Sequence, residues 1–157
     1  MKKKLLIIPI FLLAIVLFTG CDNENKDALA FKEDYEEING KENANGKIHR
    51  VLSIDKENPF IEVSASDIVE KINNKETFYV YFGSRLCPWC RSVIEKAIEV
   101  SKKYNVKEIY YVDIWDDDGN EILRDKYILD DNNNLILSIP AGEGYNDLLV
   151  SFDNFLS

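Results

Sequence analysis

Two cysteines separated by two residues, Cys87 and Cys90, are the residues of this chain whose types and spacing could do chemistry. Two thiols at this spacing can close into a disulfide and reopen, with Cys87 attacking a partner's disulfide and Cys90 resolving the mixed intermediate. The attack requires the thiolate form of Cys87. The spacing therefore predicts thiol–disulfide exchange, in which the two sulfur atoms carry the electrons and neither an organic cofactor nor a metal is needed.

The residues around the two cysteines suit the start of a helix. Pro88 would stand at the first helical position, where its missing N–H is no loss. Trp89 is expected to offer an aromatic face beside the sulfur, and Arg91 adds a positive charge that would support the thiolate. The unpaired N–H groups at a helix start and the positive end of the helix dipole would act in the same direction.

Two other interpretations of the cysteine pair stay open. A structural disulfide is possible, although a bridge that closes so short a loop restrains the unfolded chain little. Half of a zinc site is also possible, but there is no second pair of cysteines, and His49 is the only histidine. We expect no catalytic role for His49, because neither neighbour suggests a second ligand or an oriented base. The strand, turn and helix signals on either side of the cysteine pair favour the redox interpretation.

The flanking segments predict a strand, a helix and a second strand. Residues 78–82 are apolar and aromatic, as in a buried strand, and end at Gly83 and Ser84. Apolar residues then recur at helical spacing after the second cysteine. Residues 109–112 form another nearly continuous apolar run, as a parallel neighbouring strand would. The order predicts a βαβ core with the cysteine pair at the start of its helix.

Weaker patterns predict the other elements. A short helix is expected over residues 29–38, a strand over 60–63, a helix over 67–72 that is capped by Ser64 or Ser66, and an apolar helical stripe over 145–156. Ile48, Val51 and Ile54 suggest a first extended segment. Between residues 115 and 139, turn signals separate two apolar runs.

The motif Cys87-Pro88-Trp89-Cys90, with the strand before it and the helix and strand after it, resembles the thioredoxin-like superfamily around its active site. The resemblance covers about residues 60–115. With the acidic strand end at Asp113, it is more similar to thioredoxin-like lipoproteins and bacteriocin-transport accessory proteins of Gram-positive bacteria. It implies a thioredoxin-like α/β fold with a central mixed sheet, and a protein thiol–disulfide oxidoreductase with a protein thiol or disulfide substrate and a redox partner.

The chain departs from this family at two places. Many thioredoxins bury a carboxylate six residues before the first active-site cysteine, where this chain has Tyr81, a poor base at neutral pH. Water or other carboxylates would have to substitute. The family also has a cis-proline that begins a C-terminal strand pair, but Pro140 is the only late proline and is followed by Ala141 and Gly142. We therefore expect a C-terminally shortened member, or one whose strand pair is replaced.

The N-terminus resembles a bacterial lipoprotein signal. Three lysines precede an apolar run over residues 5–18, which is short for a membrane span and typical of a signal peptide. Thr19 and Gly20 are small residues before Cys21, although Phe18 stands where that pattern usually has Leu. We expect a signal peptide over 1–20, a lipid anchor at Cys21 with a linker over 21–45, and the thioredoxin-like domain over 46–157. The mature chain would be lipid-anchored at the extracytoplasmic face of the cell membrane.

The charge balance is acidic. The chain has 28 acidic and 19 basic residues, and the predicted signal removes three of the basic ones. This argues against nucleic acid as a partner and against electrostatic binding to anionic lipid. Asp116, Asp118 and Glu121 invite a calcium site, but alignment to an EF-hand loop puts Ile114 at the first ligand position, which favours a plain turn.

The sequence also fits a second function, which is binding without catalysis. A thioredoxin-like accessory lipoprotein could use the same scaffold for binding, without catalysis, in peptide export or immunity. The direction of electron flow in the catalytic alternative depends on the reduction potential, which the residues between the cysteines do not determine by themselves.

Overall fold

The computed structural model describes residues 25–116 and 118–156, and the last two of these by their backbone only. The predicted signal peptide and Cys21 lie outside the described residues. The elements follow in the order α1 (Lys26–Glu37), β1 (Phe60–Glu62), α2 (Ala65–Asn73), β2 (Val80–Gly83), α3 (Pro88–Lys103), β3 (Ile109–Asp113), β4 (Lys126–Leu129), β5 (Leu135–Ile139) and α4 (Tyr145–Leu156).

The central sheet has the strand order β1-β3-β2, and both pairings are parallel. The predicted βαβ core is confirmed, with β2 and β3 as parallel neighbours on either side of α3 in sequence. The prediction that the central sheet is mixed is wrong for the described residues. Its three strands are all parallel, and the antiparallel pair β4–β5 forms a separate two-stranded sheet. The result is a mixed α/β fold around a three-stranded parallel sheet.

The two faces of the sheet carry two clusters of buried side chains. Tyr111 and Val112 follow each other on β3 and point to opposite faces, as successive strand residues do. Tyr111 joins a cluster with residues of α1 and α3, among them Phe31 and Ile94. Val112 joins a second cluster with residues of α2 and α4. Each face of the sheet is therefore covered by two helices.

Helix α1 corrects the expected domain boundary. The short helix expected over residues 29–38 is present as Lys26–Glu37, and the Asn25 side chain caps it by accepting the N–H of Ala28 at 3.3 Å. It lies in the range 21–45, which was also expected to be anchor and linker. Phe31 and Tyr35 of this helix are buried, and the Phe31 ring stacks on Phe60 with 4.3 Å between centroids. The domain therefore includes α1 and does not begin at residue 46.

The expected extended segment around residue 50 is not a strand. Ile48 and Val51 are exposed, while Leu52 and Ile54 are buried in the first cluster. The Ile54 N–H donates to the carboxylate of Glu36 on α1 at 2.6 Å. Side chains of α1 thus supply the hydrogen bond that a neighbouring strand would otherwise supply.

The predicted short helix before β2 is confirmed as α2. Its Ser64 cap forms a reciprocal pair, in which the Asp67 N–H donates to Ser64 Oγ at 3.2 Å and the Ser64 N–H donates to Asp67 Oδ2 at 2.8 Å. The predicted C-terminal helix is also present, with Leu148 buried against α2. Phe155 and Leu156, two residues of its predicted apolar stripe, lie outside the described side chains.

The hairpin β4–β5 exposes its apolar residues. Leu135 is 72% exposed, and five more large apolar residues of the two strands are exposed with it: Tyr127, Ile128, Leu129, Ile136 and Leu137. The turn between them is held by Asp130, whose carboxylate accepts the N–H of Asn132 and of Asn134, each at 2.8 Å. The hairpin is paired within itself, and its apolar side chains face solvent.

Three further features of residues 25–116 and 118–156 bear on the expectations. No peptide bond among them is cis, so Pro140 is not a cis-proline. The Asp116 carboxylate closes the acidic turn by accepting the Asn120 N–H at 2.7 Å, and no cluster of side chains in this part of the chain is suited to hold a metal ion. None of its helices combines the length and apolar character that crossing a bilayer requires.

Candidate active site

Cys87 is the N-cap of α3, and this confirms the predicted placement of the cysteine pair at a helix start. Its backbone is extended, and its carbonyl accepts the first helical bond from the Arg91 N–H at 3.0 Å. Its Sγ accepts the N–H of Cys90 at 3.4 Å. Pro88 occupies the first turn, where it costs no hydrogen bond. The sulfur of Cys87 therefore lies at the N-terminus of α3, where the Cys90 N–H points at it.

The motif is partly accessible to solvent. Both cysteines are free thiols of intermediate exposure. Pro88 is exposed, and the Trp89 side chain is 83% exposed. The exposed indole offers an apolar surface next to Cys87 and Cys90. The expected position of the Trp89 ring beside the sulfur stays a prediction.

The environment of Cys90 disfavours the thiolate form of its side chain. Burial raises the pKa of the Cys90 thiol, and the hydrogen bond with Cys87 acts in the same direction. Contacts with the Ser84 backbone and the Tyr81 hydroxyl lower it by less. Cys90 is thus held in the protonated form at neutral pH, and it needs a proton acceptor before it can act as a nucleophile.

Tyr81 lies beneath the motif, at the position that the resemblance links to a buried carboxylate. Burial, together with the neighbouring Tyr35 and Cys90, raises the pKa of its phenol above the ordinary range. The Tyr81 ring also accounts for the glycine at position 83, because a Cβ on that residue would lie 2.6 Å from a ring atom of Tyr81. The Tyr81 side chain interacts with the Cys90 thiol, and its raised pKa agrees with the expectation that this phenol is a poor base.

Arg91 is placed differently from the sequence expectation. Its side chain is 1% exposed, and its guanidinium donates to the carbonyls of Tyr35 at 2.7 Å and Arg50 at 2.6 Å. It also donates to the Asn39 side chain at 2.7 Å and to the Arg85 carbonyl at 3.4 Å. These contacts join α1, the segment around residue 50 and α3. The structure shows a structural clamp, and none of these contacts reaches a sulfur.

Carboxylates that the sequence could not place gather at the carboxyl edge of the sheet. Glu62 and Asp113 are the last residues of β1 and β3, and Asp34 comes from α1. Asp34 Oδ1 lies 3.2 Å from Arg85 Nε. Burial raises the pKa of Asp34 to about 6 despite the lowering effect of Arg85. Burial likewise raises the pKa values of Glu62 and Asp113.

Two buried tyrosine hydroxyls, those of Tyr35 and Tyr111, lie near this edge. The Tyr111 hydroxyl interacts with both the Asp113 carboxylate and the Tyr35 hydroxyl. Neither hydroxyl forms a hydrogen bond of regular geometry, although both are buried. Tyr35 also lies within electrostatic range of Cys90.

One signal for this cluster was present in the sequence. Parallel strands place their carboxyl ends at one edge, so Glu62 and Asp113 could have been brought together once both strands were recognised. Asp34 and Tyr35 carried no such signal, because the expected short helix over residues 29–38 gave no indication of the surface on which it would pack. Comparisons of the chain with protein-family models, with curated proteins and with solved structures found no match.

Proposed function

We propose that this chain is a protein thiol–disulfide oxidoreductase of thioredoxin-like fold. The observation that carries the proposal is the position of Cys87 as the N-cap of α3, with its Sγ 3.4 Å from the Cys90 nitrogen. Helix N-termini stabilise anions, and a thiolate is the anion that the exchange reaction requires. The parallel βαβ arrangement around the motif supports the thioredoxin-like assignment.

The two cysteines would have separate roles. Cys87 attacks one sulfur of a partner's disulfide, and a mixed disulfide forms as the second sulfur leaves. Cys90 then attacks Cys87, closes the internal disulfide and releases the reduced partner. The reverse sequence oxidises a dithiol, and the reduction potential decides the direction. Burial of the Cys90 thiol and exposure of Trp89 are consistent with a buried resolving group beside a surface for the partner.

The cellular location forms part of the proposal. Cys21 would be lipidated after removal of residues 1–20, so that the domain acts at the extracytoplasmic face of the cell membrane. An oxidising compartment outside the cytoplasm suits disulfide chemistry. Membrane fractionation of the Cys21→Ser variant tests this, because that variant should leave the membrane fraction while the original chain stays in it.

One observation favours the second candidate, an accessory lipoprotein that binds without catalysis. The β4–β5 hairpin exposes several large apolar side chains, with Leu135 at 72% exposure. Exposed apolar patches of this kind often mark surfaces for protein partners. Such a surface does not require the cysteines, so the two candidates predict different effects of cysteine substitution.

The test is capture of mixed disulfides in cells. In a Cys90→Ser variant, Cys87 can attack but the intermediate cannot resolve, so disulfide-linked adducts should accumulate and disappear on reduction. A Cys87→Ser variant is the matched control and should give none. Purified original protein should also catalyse reduction or oxidation of a disulfide-bonded protein substrate.

Either of two results would favour the non-catalytic binding protein over the oxidoreductase. Equal adduct levels in the two variants, or no turnover by the original protein with either an oxidised or a reduced substrate, would exclude exchange at Cys87. A Cys21→Ser background keeps the third thiol from contributing adducts of its own.

A further inference from the structure

We propose that Arg85 is a positioning residue for the exchange reaction, because its side chain binds α1 and thereby fixes the turn that carries Cys87. This role rests on the proposed thiol–disulfide exchange and gives α1 a task within it. Helix α1 lies outside residues 60–115, the part of the chain that carries the resemblance. The task is to hold the attacking sulfur in place, and no bond or proton of the reaction passes through Arg85.

The turn joins β2 to α3, and Arg85 and Leu86 are its two central residues. The Cys87 N–H closes it by donating to the Ser84 carbonyl at 3.1 Å, and the Leu86 N–H donates to Ser84 Oγ at 3.3 Å. Ser84 is buried and anchors the start of the turn. Because the turn is so short, a movement of Arg85 would displace the Cys87 sulfur from the N-terminus of α3.

Two carboxylates on one face of α1 hold the Arg85 side chain. Its Nε lies 3.2 Å from Asp34 Oδ1, and its Nη1 donates to Glu37 Oε2 at 2.8 Å. Asp34 and Glu37 are three residues apart, so they are neighbours on the helix surface. Only 19% of the Arg85 side chain is exposed, and its planar guanidinium has two partners in fixed directions. The side chain therefore has little freedom to move.

A second arginine joins the same turn to the same helix. Arg91 donates through Nη1 to the Arg85 carbonyl at 3.4 Å and to the Tyr35 carbonyl at 2.7 Å. Tyr35 belongs to α1, and the Arg91 side chain is buried. The side chain of Arg85 is thus bound to α1 directly, and its backbone is bound to α1 through Arg91.

The charge of Asp34 is unfavourable to the folded protein. Burial raises the pKa of this carboxyl to about 6, although Arg85 acts in the opposite direction. Groups that cost stability are found where the activity of a protein depends on them. Holding the turn that carries Cys87 is a reason of this kind, because an uncharged residue at position 34 would remove both the cost and a charged partner of Arg85.

The rate at which Cys87 attacks a disulfide tests the proposal. In the full chain with Cys21→Ser and Cys90→Ser, purified in detergent, Cys87 is the only thiol. With an excess of a chromophoric aromatic disulfide, Cys87 loses its proton to solvent, its sulfur bonds to one reagent sulfur, and the other leaves as a coloured thiolate. Arg85→Met should slow this release by about tenfold near neutral pH, since small displacements of a reacting group reduce rates steeply.

Removal of both carboxylates separates positioning from a direct effect of the Arg85 charge. Asp34→Asn combined with Glu37→Gln keeps the guanidinium but removes its partners, so positioning predicts release slowed by about tenfold. A direct charge effect predicts faster release, because the loss of two negative charges favours the Cys87 thiolate. Adding Arg85→Met to this double variant should bring no further loss, since the contact is already absent.

A control and a stability measurement complete the test. Glu99→Gln removes one negative charge from an exposed pair with Lys96 on α3 and should leave the release rate unchanged. Slower release in a double variant that resists urea as well as the parent does cannot come from unfolding. Unchanged or faster release in the double variant would overturn the positioning role while exchange itself stands. Release by the parent that is no faster than release by free cysteine would overturn the proposed function as well.

Discussion

Substitution of Asp34 by Asn should stabilise the folded protein at neutral and higher pH, although it removes a member of an ion pair. The net environment of Asp34 disfavours its charge, because burial raises its pKa from 3.8 to about 6 and outweighs Arg85. Between these two values the folded state binds more protons than the unfolded state, so its stability falls as pH rises through this window. Asn does not titrate and avoids this loss.

The magnitude follows from the two pKa values. A rise from 3.8 to about 6 corresponds to about 3 kcal/mol at pH values above both. The Asp34 side chain is 35% exposed, so solvent screening reduces the expected gain to about 1–2 kcal/mol. Below about pH 4 the aspartic acid is protonated in both states, and Asn should bring almost no advantage.

Urea unfolding of both proteins at a series of pH values from about 4 to about 8 measures this difference. The gain from Asn should appear across the window and then stay constant. Glu37→Gln is the control, because it removes the other carboxylate bound to Arg85, 2.8 Å from Nη1, at an exposed site. It should change stability by less than about 1 kcal/mol. A less stable Asp34→Asn variant near pH 8 would show that the ion pair outweighs burial.

Two further substitutions test other parts of the fold by urea unfolding. Arg91→Met should cost about 3–5 kcal/mol, because the carbonyls of Tyr35 and Arg50 would lose a buried charged donor; a stability equal to that of the original protein would refute the clamp. Leu52→Ala should cost about 2–5 kcal/mol at a site with 3% exposure, whereas Leu135→Ala should cost less than about 0.5 kcal/mol. Equal losses at the two leucines would show that the hairpin is packed in solution.

The local elements around the motif were predictable from the sequence because their signals are short-range. Pro88 after Cys87 marks a helix start through its backbone geometry, and the apolar run before Gly83 needs only its own pattern to indicate a buried strand. Ser64 with Asp67 marks the start of α2 in the same way. The cysteine pair at a helix start was therefore expected and is confirmed.

The position of α1 could not be predicted in this way. Its apolar residues Phe31 and Tyr35 lie among charged residues, and a helical pattern does not say which surface will cover it. The same limit applies to Arg91, whose charge suggested the thiolate while its partners come from three distant segments of the chain.

The sequence by itself determined where the thiols stand and which of them begins the helix, because capping and strand patterns depend on neighbouring residues. Only the tertiary structure decided what surrounds the second thiol. The Tyr35 hydroxyl comes within electrostatic range of Cys90 from α1, a helix far away in sequence. Burial raises the pKa values of the Cys90 thiol and of the Asp113 carboxylate, and burial is a property of the packed chain.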